Sequence, residues 1–144
     1  MSTSVHEAFP GHFTQYLWEQ RAPSRLRRVL AANTNVEGWA HYSEQMMLDE
    51  DYAQPGAGAK DLRESRLIHL GQLQKFKLDQ SREFFVKEGF QSPKGKLQIM
   101  KLRDDVRKKQ SAALGKFHDD FMSQGYPPIA IVRCALLGDD SPTL

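Results

Sequence analysis

Two short strings concentrate the chemistry-bearing residues of this chain. The first, His6-Glu7-Ala8-Phe9-Pro10-Gly11-His12, puts two imidazoles and a carboxylate within seven residues. In the familiar H-E-x-x-H arrangement, two histidines one helical turn apart chelate zinc while the glutamate between them activates a water. Here His12 stands six residues beyond His6, about 600° round a regular helix and ~9 Å farther along its axis. An unbroken helix therefore cannot bring the two rings together. Pro10 removes a ladder amide and Gly11 tolerates unusual dihedrals, so the pair predicts a local bulge that swings His12 back beside His6. The bland alternative is a surface cluster with a Ser4-x-x-Glu7 capping box.

The second string, Val36-Glu37-Gly38-Trp39-Ala40-His41-Tyr42-Ser43-Glu44, places Glu37 25 residues after His12. Zinc hydrolases with a glutamate ligand take it from a following helix and leave the fourth position for water. Glu37 suits that role. Gly38 permits close helix approach, and His41 and Glu44, at i+4 and i+7 from Glu37, share its face and are expected to orient the ligands from behind. Tyr42 and Trp39 read as core or cleft-wall aromatics, although a tyrosine hydroxyl can stabilise an oxyanion. His118 falls on the side of Leu114, Phe117 and Phe121, which suits a satisfied buried histidine, with a transition-state donor as the alternative.

The elements that must position these groups read as helices throughout. Strand signals are nearly absent and apolar residues recur at helical spacing, so the predicted fold is all-α, a single helical domain over residues 1–144. A first helix from Ser4 to Gln20 is interrupted at Pro10-Gly11. A second, Ser24 to Ala32, carries Leu26, Val29 and Leu30 opposite a solvated basic face of Arg25, Arg27 and Arg28. A third starts near Asn35 and ends before the turn-rich segment 51–59. A fourth starts near Lys60 with Leu67, Leu70, Leu73 and Phe76 as its stripe, and a further piece from Asp79 to Gly89 holds Phe84 and Phe85. Residues 91–95 read as a connector. One long helix then places Ile99, Leu102 and Val106 on one face, continues through Leu114, Phe117 and Phe121, and ends at Gly125 and Pro127-Pro128. Ile129 to Leu137 closes the fold.

Composition narrows the function classes. Twenty Lys and Arg against 18 Asp and Glu leave a formal charge of +2, too small to imply a nucleic-acid or anionic-membrane partner. The lone Cys134 cannot pair within the chain and fits a reducing compartment. No apolar run reaches membrane-spanning length, and the first residues lack the regions of a signal peptide, so the default expectation is cytoplasmic.

Both strings resemble the hallmarks of a bacterial family, domain of unknown function 885, whose members carry an H-E-A-x-P-G-H string and then an E-G-W-A-x-Y string. The chain matches these as His6 to His12 and Glu37 to Tyr42. Residues 95–98, 102–103, 117–119 and 124–125 are similar to the family's closing helices, so the resemblance covers most of the chain. It implies a zinc metallopeptidase with a gluzincin-like helical core. His6, His12 and Glu37 would be the metal ligands, for Zn2+ or another divalent ion, and Glu7 the catalytic base acting on a peptide. Family members are several times longer, with a large helical region before the first string and further segments between the second string and the closing helices. The expectation is therefore a truncated, internally deleted form with weak or no peptidase activity. Helix faces left bare are expected to associate as a homodimer. The alternative is a non-catalytic helical metal-binding or interaction protein that retains the fold.

Overall fold

The computed structural model describes residues 2–50 and 92–141. Pro10 and Gly11 do more than bulge the first helix. They split it into α1, Ser2–Glu7, and α2, His12–Glu19. Because α1 already runs from Ser2, Ser4 and Glu7 lie inside it and form no capping box at its start. Helix α3, Arg25–Val29, begins where Ser24 Oγ accepts from the Arg27 amide. Helix α4 is Asn33–Asp49, and α1 and α2 pack against it.

The C-terminal part departs from expectation at both ends of its first helix. Residues 92–95 are not a connector: α5 runs Ser92–Gln110, and Pro93 is tolerated because a first-turn residue has no ladder amide to lose. The expected single long helix then stops at Gln110. Ser111 takes a positive φ of 49°, and α6 restarts at Leu114–Met122. Helix α7 is Ile129–Leu137. The expected helices at 60–89 lie outside the described residues. The described residues are mostly helical and contain no strand, so the chain is all-α as far as they extend. No helix among them is long and apolar enough to cross a membrane.

The core lies where α4, α5, α6 and α7 meet, built from Trp39, Tyr42, Ile99, Leu102, Val106, Phe117, Phe121, Ile129 and Val132. The α4–α5 contact is unusually close. A Cβ on Gly38 would lie 2.7 Å from the Gly95 carbonyl carbon, and one on Gly95 would lie 1.9 Å from Thr34 O. Paired glycines thus let two backbones touch one residue beyond Glu37. Helix α3 does not bury its apolar side as expected, although Arg25 and Arg28 are exposed as a solvated basic face should be. Leu26, Val29 and Leu30 are exposed, whereas Arg27 Nη1 donates to Gln124 Oε1 and Arg28 Nη2 to Ala22 O. The short helix is anchored by its arginines and leaves its apolar side outward.

Candidate metal centre

The turn between α1 and α2 is a close backbone crossing. The Gly11 amide donates to Val5 O at 3.0 Å, and a Cβ on Gly11 would lie 1.8 Å from His6 O and 2.3 Å from Val5 O. Only a residue without a side chain fits there. In consequence the His6 and His12 rings stand 4.8 Å apart, centroid to centroid and nearly perpendicular. Helix α4 holds the turn in place, since Trp39 Nε1 donates to Pro10 O at 2.9 Å.

Glu37 meets both rings from α4. Its Oε2 lies 3.7 Å from His6 Nε2 and its Oε1 3.7 Å from His12 Nε2, and one donor atom from each of the three residues falls within 4.8 Å of the others. Donors bound at ~2.0–2.2 Å around a tetrahedral ion sit roughly 3.3–3.6 Å apart, so the set fits a divalent metal with small side-chain adjustment. Two imidazoles and one carboxylate are a donor set that zinc accepts. The Glu37 side chain is 42% exposed, so the group faces solvent and a fourth ligand can enter. Behind it, Glu44 Oε1 lies 2.9 Å from His6 Nδ1 and Glu44 Oε2 lies 3.5 Å from His41 Nδ1. Glu7 ends α1 directly after His6, with its side chain exposed.

The family described as "Bacterial protein of unknown function (DUF885)" matches residues 1–82, more than half the chain, and both strings lie inside the match. The chain belongs to this family. No curated protein and no solved structure matches it. The family match ends before the C-terminal residues that resemble the closing helices, so α5 to α7 of this family member lie outside it.

The remaining expected site residues lie elsewhere. Tyr42 comes five residues after Glu37, about 140° round α4, and it is buried in the core. Its hydroxyl is 2.8 Å from His118 Nε2, and the Arg103 guanidinium stands 5.9 Å from its ring. Burial, seconded by the Arg103 charge, pushes the His118 imidazole down to about 4. Burial also raises the Tyr42 hydroxyl, against the pull of Arg103. Two neutral partners therefore share this hydrogen bond. The structure gathers His6, His12, Glu37, His41 and Glu44 into one cluster and pairs Tyr42 with His118 on another side of α4.

Lys96 and Arg103 figure in the sequence only within the stretches that resemble the closing helices, with no site role. Lys96 is buried on α5, donates to Gln45 Oε1 at 3.2 Å, and has its ammonium pKa lowered by burial, with Glu44 and Asp49 opposing. Pro93 carried the missing signal. Read as a first-turn residue rather than a breaker, it puts Lys96, Ile99 and Arg103 on one stripe at i, i+3 and i+7.

Proposed function

We propose that this member of the family is a zinc-dependent metallohydrolase of metallopeptidase type, with a gluzincin-like centre. The observation that carries the reading is the convergence of His6 Nε2, His12 Nε2 and the Glu37 carboxylate at one solvent-facing point. His6 and His12 would hold the ion through Nε2 and Glu37 through its carboxylate. A zinc ion there would supply Lewis acidity for a peptide carbonyl and for a bound water. Glu7 follows His6 in the chain and is exposed, and by the family resemblance its carboxylate would take the proton of the attacking water and return it to the departing amine. Glu44 and His41 both contact the His6 ring, Glu44 at its Nδ1.

The test separates binding from chemistry. Glu7→Gln should retain zinc and abolish peptide hydrolysis, because an amide cannot accept the proton, whereas His12→Ala should lose both. Full hydrolysis by Glu7→Gln from a metal-dependent parent would exclude Glu7 as the base. Stoichiometric zinc without any turnover in the parent would favour the non-catalytic metal-binding alternative.

A further inference from the structure

His6, His41 and Glu44 form a second group whose donor atoms lie within 4.8 Å of one another, and it shares His6 with the first. Two uses of that group compete. As a second cation site it would need both His6 nitrogens as ligands, which requires a ring stripped of its last proton. As a support it needs only the ordinary neutral ring, one nitrogen protonated and the other carrying a lone pair. The contact distances favour the support. Glu44 Oε1 lies 2.9 Å from His6 Nδ1, within the range of a hydrogen bond to a carboxylate. The carboxylate then accepts from Nδ1–H and leaves the lone pair at Nε2, the nitrogen that faces Glu37. The Glu44 side chain is 9% exposed and its other oxygen is within 3.5 Å of His41 Nδ1, so it is held rather than free to swing into solvent. Glu37 and Glu44 lie two turns apart on one face of α4. One helix therefore supplies a ligand and braces the ring of another.

We infer that Glu44 is a positioning residue, which fixes His6 as the Nδ1–H tautomer and aims its Nε2 lone pair at the point shared with His12 and Glu37, and that the His6–His41–Glu44 group holds no second cation. Its effect on metal affinity rests on the proposed metal centre, whereas the tautomer does not.

Ring 15N chemical shifts of the metal-free 144-residue protein at about pH 8, above the ordinary imidazole range, read the tautomer without metal or activity. The expected result is Nδ1–H at His6 in the parent and a tautomeric mixture in Glu44→Ala. Zinc affinity, by chelator competition, should fall roughly 10–100-fold in Glu44→Ala. Glu44→Gln keeps an acceptor oxygen for Nδ1–H and should restore the tautomer and much of the affinity. Nε2–H at His6 in the parent, unchanged zinc affinity in Glu44→Ala, or two zinc ions per chain with one lost in His41→Ala would each overturn the inference. If the tautomer responds to Glu44→Ala as stated but neither protein binds zinc, the positioning role stands and the metal-centre reading fails.

Discussion

His6 and His118 show two opposite treatments of an imidazole by one fold. His6 stands against a carboxylate at 2.9 Å with its ring only partly covered, an environment that directs its nitrogens. His118 is packed against Trp39 and Phe117 with Tyr42 as its hydrogen-bond partner, an environment that excludes charge. Its folded pKa of about 4 lies below the ordinary value of 6.5. Between those two values the unfolded chain binds a proton that the folded chain does not. The contribution to stability is therefore complete above about pH 6.5 and is lost as pH falls toward about 4. Urea unfolding should accordingly give a lower midpoint at about pH 4.5 than at about pH 7, and His118→Gln should flatten that difference. An unchanged difference in the variant would assign the acid sensitivity to other groups.

At the scale of elements, the site depends on backbones that touch. Gly11→Ala would drive a methyl group into His6 O and Val5 O, pushing α2 off α1 and His12 away from His6. Zinc affinity should fall by about 10-fold or more, read by chelator competition, and native affinity in that variant would show that the crossing is not needed. Gly38→Ala should cost about 1–3 kcal/mol through overpacking against Gly95. Gly115→Ala in α6, where a Cβ meets nothing within 4 Å, should instead add about 0.4–1 kcal/mol. Urea midpoints of the two variants should move in opposite directions. These local crossings also explain what the sequence disclosed. The Pro10-Gly11 pair announces a break, and a shared site for His6 and His12 requires one, so the meeting of the two rings is legible in the sequence. The same residue types misled at 93–95, where proline sits harmlessly in a first turn and glycine serves the contact with Gly38. Nothing in Lys109-Gln110-Ser111-Ala112 announces the break after α5, because Ser111 takes its positive φ without a glycine. The exposure of Leu26, Val29 and Leu30 was equally hidden, since periodicity shows that a helix has an apolar face but not whether a neighbour covers it.

Across the whole molecule, α4 is a shared wall. One side carries Glu37, His41 and Glu44 toward α1 and α2, and the other carries Trp39 and Tyr42 into the core with α5 and α6. Helical periodicity made that division of labour readable for Glu37, His41 and Glu44. It could not foresee that Tyr42 and His118, far apart in the chain, would meet in the core, because that depends on how α6 docks. Helix α1 has six residues, too few to persist without tertiary contacts, so an ion held jointly by α1, α2 and α4 should stabilise the folded chain. At a free zinc concentration about 100 times Kd the gain is about 2.7 kcal/mol. The thermal midpoint should rise with added zinc and return on chelation, whereas the His12→Ala midpoint should not respond. A parent midpoint indifferent to zinc would separate the cluster from metal binding.

The proposed activity requires that His6, His12 and Glu37 together hold one metal ion. Elemental analysis of protein purified without chelator, repeated on Glu37→Ala, tests it most directly. The parent chain should carry close to one zinc and the variant almost none. A parent without metal, whose weak zinc binding in titration is unchanged by Glu37→Ala, would contradict it.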